Sequence, residues 1–159
     1  MPNQRDESSI SDNESHEIKL RDLCIDDYDN LVRLWDDAEL PYKPDGRDKK
    51  ENIDRELAGT TSIFLVAEIN GKLIGSIFGT HDGRKGWINR LAVAPKYRRK
   101  GLAARLVHEV EKKLYERGIE IVACLIEDWN KSSLAAFQRM GYKCYNDIIY
   151  LSKRRHGNV

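Results

Sequence analysis

The spacing of apolar and polar residues changes period several times along the chain, and each change predicts an element. From Glu17 to Cys24, Ile18 and Leu20 alternate with Lys19 and Arg21 until Asp22 breaks the rhythm, which predicts a strand. Asp26 is then expected to cap a helix over Asp27 to Ala38, with Leu31, Leu34 and Trp35 on one face and Asp29, Arg33 and Asp36 on the other. The connection ELPYKPDGR, Glu39 to Arg47, contains two prolines and a glycine, so no regular helix crosses it. Asp48 opens a second helix, in which Ile53 and Leu57 fall four apart and Gly59 is the stop.

The clearest β signal follows. SIFLVAEI and KLIGSIFGT are joined by Asn70-Gly71, a strong hairpin pair. Ile63, Leu65 and Ala67 on one side and Phe64 and Val66 on the other make both faces apolar, so helices should cover both. A turn over His81 to Gly86 leads into a third strand, Trp87 to Ala94, stopped at Pro95. A short basic loop then opens a helix striped by Leu102, Leu106, Val110 and Leu114, with Gly118 at its end. IEIVACLIE is expected to be a fully buried strand, since its apolar content is unbroken. In DWNKSSLAAFQRMGY, Asp128 or Asn130 can cap a short helix that turns Leu134, Phe137 and Met140 inward before Gly141. Tyr142 to Tyr145 and Ile148 to Ser152 read as two closing strands. The expected fold is therefore α/β, a mixed central sheet with helices on both faces, in the order βααβββαβαββ.

Length and charge narrow the function classes. A chain of 159 residues suits one domain, placed at 16–155, and the polar stretch 1–15 and the end 156–159 are expected to be tails. With 27 basic against 26 acidic residues, no global field draws the protein to nucleic acid or to an anionic membrane, so any anion site must be local. No apolar run approaches spanning length, and MPNQRDESSISDNESHE lacks the apolar core of a secretory signal, so a cytoplasmic location and no membrane partner are expected. Cys24, Cys124 and Cys144 form no CxxC pair and are expected to be reduced core residues. His81 and His108 have no partner at metal-ligand spacing, so no metal is expected.

One local anion site does stand out. Between Lys96 and Ala104 there is no Ser, Thr, Asp or Asn to cap the new helix, while Arg98, Arg99 and Lys100 stand beside its start and Gly101 clears the approach. Bare helix-start amides with a partial positive charge favour a phosphate. A solvated basic turn is the competing explanation for the run taken alone. The phosphate-loop pattern GxxxxGK[ST] of nucleotidases is absent.

The element order and the run RRKGLA resemble the GNAT superfamily of acetyl-CoA-dependent N-acetyltransferases. Its signature is Gln or Arg, two residues, Gly, one residue, then Gly or Ala, and Arg98, Gly101 and Ala103 match it. The likeness runs from about Ile18 to Leu151 and takes in NKSSLAAFQRMGY, similar to the family's last cofactor-contacting helix. It implies acetyl-CoA as cosubstrate, with its pyrophosphate on the amides of Arg99, Lys100, Gly101, Leu102 and Ala103, charge from Arg98, Arg99 and Lys100, and Arg105 reaching the 3′-phosphate. It also implies that Leu91, Ala92 and Val93 lie on a splayed strand whose amides meet the pantetheine arm and the acetyl carbonyl.

The resemblance implies direct transfer to an amine, whether a protein or peptide N-terminus, a lysine or a small molecule. A lysine amine of reference pKa about 10.4 costs roughly 4 to 5 kcal/mol to neutralise at neutral pH, against about 1 to 2 for an α-amine. Glu127 and Asp128 are candidate bases, with a cap or a solvated loop charge as the alternative, and Asn89 is a candidate to order a water. Where many members have a general-acid tyrosine, seven residues after the Asn of the last helix, this chain has Phe137, which cannot donate a proton and is expected to pack on the cofactor arm or the core. Tyr142 or Tyr145 is a candidate replacement, a core tyrosine being the alternative. Asn130 is a cofactor contact or a cap. A cofactor-binding module with little turnover is the second function class, and a homodimer is an assembly the sequence leaves open.

Overall fold

The computed structural model describes residues 17–159, and the expected tail at 1–15 lies outside them. The sheet is built from β1 (Lys19–Asp22), β2 (Ser62–Ile69), β3 (Lys72–His81), β4 (Gly86–Val93) and β5 (Val122–Cys124), side by side in that order. The first four are antiparallel neighbours, and β5 joins β4 in parallel. Helices α1 (Tyr28–Asp37) and α2 (Lys50–Leu57) lie between β1 and β2, α3 (Leu102–Glu116) forms the crossover from β4 to β5, and α4 (Lys131–Arg139) follows β5. The hairpin signal holds: Asn70 and Gly71 both take positive φ, 49° and 74°, as a tight two-residue turn between twisted strands requires.

Both faces of the sheet are covered, as the doubly apolar strands required. Leu102, Leu106, Val110 and Leu114 of α3 pack with Ile63, Leu65, Ile77 and Ile88 on one face. Leu31, Leu34, Trp35 and Ile53 of α1 and α2 pack with Phe64, Val66 and Phe78 on the other. The helix α3 lies close because β3 presents Gly79 beneath it, where a Cβ would stand 2.5 Å from Val110 Cγ1. No helix among the described residues is long and apolar enough to cross a membrane.

Several expectations are corrected. The run 119–127 is not a fully buried strand: only Val122–Cys124 pairs, half-buried, and Ile121 and Leu125 are exposed. An unbroken apolar run states a demand for cover without saying whether the chain meets it, and β5 is the last strand of the sheet. The closing strands at 142–145 and 148–152 do not form among the described residues. Residues with β propensity become a strand only against a neighbour, and this segment has none. Asp26 is not the cap of α1. Asp27 instead accepts from the Cys24 amide at 3.0 Å and pairs with Arg21 at 2.7 Å. That pairing draws the Asp27 carboxyl down to about 2 and holds the Arg21 guanidinium above its ordinary value. Asp48 does not open α2 either, which starts from Lys49. Of the three free cysteines only Cys124 is partly buried, while Cys24 and Cys144 are exposed.

Candidate functional site

The site is set up by the way β4 loses its neighbours. Its pairing with β5 stops at Ile88 opposite Cys124, so from Asn89 to Val93 the strand runs on against β3 alone. Within that stretch Arg90 and Leu91 stand opposite the single residue Ile77, a bulge in which Arg90 takes φ 51°. A positive φ at a side-chain-bearing residue is costly and persists where the surroundings impose it. Here the buried Ser76 hydroxyl donates to the Arg90 carbonyl at 2.9 Å and accepts from Trp35 Nε1 at 3.0 Å. The Arg90 guanidinium then grips Asp48 at 2.6 and 3.0 Å, and Asp48 accepts from the Lys43 amide at 2.7 Å. One polar chain thus fastens the bulge, α1 and the connection between α1 and α2. Sequence reasoning missed Ser76, Arg90, Asp48 and Trp35 as a unit. The only signal was the adjacent polar pair Asn89-Arg90, which breaks the alternation of the strand.

Beyond Val93 the chain makes a 3-10 turn, Pro95–Tyr97, and reaches α3 through Arg98 to Gly101. The helix has no side-chain cap and no acidic residue in its first turn. The first inward bond is from the Arg105 amide to the Gly101 carbonyl, and the amides of residues 99 to 104 donate to no other group among the described residues. Arg99 and Gly101 take φ 61° and 78°, left-handed backbone of the kind found in concave anion-binding turns. A Cβ built at Gly101 meets nothing within 4 Å, so the chain leaves open space beside that residue. These features fit a pyrophosphate on the residues the sequence pointed to.

The flanking cations divide. Arg98 is not simply a charge for phosphate: its guanidinium donates to the Val93 carbonyl at 3.1 Å and to the Ala38 carbonyl at 3.0 Å, stapling the loop to the ends of β4 and α1. Lys100 lies over the Tyr97 ring, 5.8 Å from its centre. Arg99 is exposed beside the bare amides. Arg105 sits one turn on but lines a shallow groove against β1, with Leu20, Arg21 and His108.

The side-chain candidates are scattered around the open edge of β4. Leu91 and Val93 pack toward α3 and Ala92 toward α1, which leaves their backbone groups as the chemistry at that edge. Asn89 is exposed and stands in register with Phe78, on the face of α1 and α2. Glu127 and Asp128 are exposed in the turn after β5, where the Glu127 carbonyl accepts from the Asn130 amide at 2.9 Å. Asn130 caps α4, its side chain accepting from the Ser133 amide at 3.2 Å. Phe137 is buried in the core and meets the Tyr142 ring edge-on at 4.9 Å. The Tyr142 hydroxyl donates to Glu111 Oε1 at 2.8 Å, and burial followed by that carboxylate push it far above its ordinary value. Tyr145 is exposed, and burial alone pushes the Cys124 thiol up to about 11. Among the described residues no three His, Cys, Asp or Glu side chains are grouped as metal ligands.

The sheet thus opens beside a bulged strand, with bare helix-start amides just beyond it. The profile of the Acetyltransferase (GNAT) family matches residues 28–142, and the chain belongs to that family. The activity that goes with membership is N-acetyl transfer. Among solved structures, a PaiA N-acetyltransferase from Thermoplasma acidophilum in complex with coenzyme A has TM-score 0.74 and 21% identity, over 83% of this chain and 93% of that one. AAC(6′)-Iy in complex with the bisubstrate analog CoA-S-monomethyl-acetylneamine has TM-score 0.73 and 20% identity, over 87% of this chain and 99% of that one. A Trypanosoma brucei acetyltransferase has TM-score 0.66 and 22% identity, over 86% of this chain and the whole of that one. At these identities the likeness is one of fold.

Proposed function

We propose that this protein uses acetyl-CoA as cosubstrate and transfers the acetyl group directly to a primary amine: a protein or peptide N-terminus, a lysine or a small molecule. The observation that carries the reading is the run of unpartnered amides at 99–104, opening on clear space at Gly101. Coenzyme A supplies the activated thioester. The amides of Arg99 to Ala103 would take the pyrophosphate oxygens, with Arg99 and Lys100 adding charge, and Arg98 keeps that loop tied to the end of β4. The unpaired edge of β4 at Leu91 to Val93 would align the pantetheine arm and donate to the acetyl oxygen as negative charge develops there.

Direct transfer is supported by the partly buried thiol on the strand beside β4. Cys124 is held protonated by burial, with its thiol pushed up to about 11, so it is a poor nucleophile for an acyl-enzyme route at neutral pH. Proton removal from the amine would fall to a water ordered by Asn89, which passes the proton to solvent, or to the Glu127 carboxylate beside the gap. The departing thiolate receives no proton from Phe137, and the Tyr142 hydroxyl is spent on Glu111. A thiol of pKa near 8.5 leaves without an acid, so this does not prevent turnover.

The same two residues favour a second reading, a cofactor-binding regulatory or interaction module with little turnover. A screen of acetyl-CoA turnover over peptides, polyamines, amino acids and aminoglycosides, read by thiol release and product mass, separates the two. Acetylated amine is the expected result. Measured coenzyme A binding without product on any amine class overturns the enzyme reading in favour of the module.

A further inference from the structure

The bulge in β4 is fastened by a hydroxyl that packing alone does not call for. Ser76 of β3 is fully buried, at 0% exposure, between Ile74 and Ile77, which are equally buried. A serine hydroxyl carries one proton and two lone pairs. Trp35 Nε1 donates to it at 3.0 Å, which leaves its single proton for the Arg90 carbonyl at 2.9 Å. That carbonyl belongs to the bulged residue, at φ 51°. In a trans peptide unit the C=O and the N–H point opposite ways, and no peptide bond among the described residues is cis. Held toward Ser76 on β3, the Arg90 carbonyl therefore turns the Leu91 N–H away from β3. On that other side β4 has lost its partner, since pairing with β5 ends at Ile88. The Arg90 side chain is held as well: Asp48 grips its guanidinium, which lies 5.8 Å from the centre of the Trp35 ring. Trp35 thus backs both the main chain and the side chain of the bulged residue.

We propose that Ser76 is a positioning residue for acetyl transfer: its hydroxyl, set by Trp35, holds the bulged peptide so that the Leu91 N–H faces the acetyl oxygen of bound acetyl-CoA. The inference rests on the proposed use of acetyl-CoA, and it adds which of the β4 amides polarises the thioester and what aims it. A donor to a developing oxyanion works by being in place before the charge appears. A side-chain-bearing residue at positive φ does not keep such a place unaided. In Ser76→Ala the Arg90 carbonyl loses its donor, the bulge is free to relax toward ordinary strand backbone, and the Leu91 N–H swings with it. The phosphate-loop amides lie beyond the turn at Pro95–Tyr97 and take no part in this chain of bonds. Loss of the hydroxyl should therefore strike the thioester carbonyl and spare the grip on the rest of the cofactor.

The test follows, by NMR of the whole chain, acetyl-CoA labelled with carbon-13 at its acetyl carbonyl. A hydrogen bond to the thioester oxygen moves that resonance downfield, and a downfield displacement is expected on binding to the native protein. More than half of it should be lost in Ser76→Ala and kept in Ser76→Thr, which retains the hydroxyl. Trp35→Phe, which frees the hydroxyl to rotate, should lose a smaller part. The Kd of coenzyme A, which has no acetyl group, should be unchanged in all three. Amide exchange of the native protein gives a second measurement that survives any failure of the buried variants to fold. The Leu91 amide should exchange freely in the unliganded chain and be protected more strongly by acetyl-CoA than by coenzyme A. A native chain that binds no acetyl-CoA overturns the functional reading and this inference with it. A carbonyl displaced equally in native and Ser76→Ala protein, an equal loss in Ser76→Ala and Ser76→Thr, or a Leu91 amide already protected in the free chain overturns this inference and leaves that reading standing.

Discussion

Replacing Gly101 tests the cofactor site where its chemistry is barest. The residue stands at φ 78° and ψ 6°, so any L side chain there costs about 1 to 2 kcal/mol of folding stability. Nothing lies within 4 Å of the new Cβ, so no clash adds to that in the free protein. Gly118 provides the matched control: φ is 79°, its Cβ also finds open space, and it sits at the other end of α3. Gly101→Ala and Gly118→Ala should therefore lower the melting temperature alike, by about 2 to 4 °C per kcal/mol for a domain of this size. Only the first should weaken coenzyme A binding. Gly101→Glu adds a negative charge close to where the pyrophosphate would lie. At about 5 Å and an effective dielectric between 20 and 80, each phosphate charge then costs roughly 1 to 3 kcal/mol, about fivefold to 150-fold in Kd. Calorimetric titration at low salt and at about 1 M salt separates the parts, because a Debye length of about 3 Å screens the charge and leaves the loss seen with alanine. Coenzyme A bound by Gly101→Glu as tightly as by Gly118→Ala, with both folded, would place the pyrophosphate elsewhere.

Three further outcomes follow from the polar groups. Asp48→Ala strands the Arg90 guanidinium, whose pair is only 14% and 7% exposed, and should cost roughly 3 to 5 kcal/mol in urea unfolding. The double replacement Asp48→Leu with Arg90→Met should recover more than half of that, and a single-variant loss under about 1 kcal/mol would show that the pair is not desolvated. For Asp27, the native carboxyl binds its proton later than the unfolded one, about 2 against 3.8, so its contribution is complete above the higher value and disappears as pH falls between the two. With Arg21 34% exposed to screening solvent, about 1 kcal/mol is expected, visible as an acid limb in the stability profile that Asp27→Asn flattens. In timed alkylation at neutral pH followed by peptide mass, exposed Cys24 should be modified well before Cys124, whose thiol burial pushes up to about 11. Equal rates would mean that β5 opens readily.

What could be read in the sequence was whatever depends on neighbours along the chain. The Asn70-Gly71 turn holds because both φ values are a local property of those residues, and the bare start of α3 holds because a missing cap is a fact about eight or so consecutive positions. The proposed cofactor site rests on the same kind of reading: it is made of backbone amides, so spacing alone suggests it. Side-chain partners lie far away in sequence, and spacing does not show them. Asp48 looked like a helix start until Arg90, 42 residues on, claimed its carboxylate. Arg98 looked like a phosphate ligand until the Ala38 carbonyl, 60 residues back, took one of its donors. Tyr142 was a candidate acid until Glu111 received its proton donor. The misreading of β5 and the arm is of another kind, since both are apolar enough to require cover and among the described residues the chain does not supply it. An apolar run records a demand for cover, and the open edge of β5 shows that it does not record whether the demand is met.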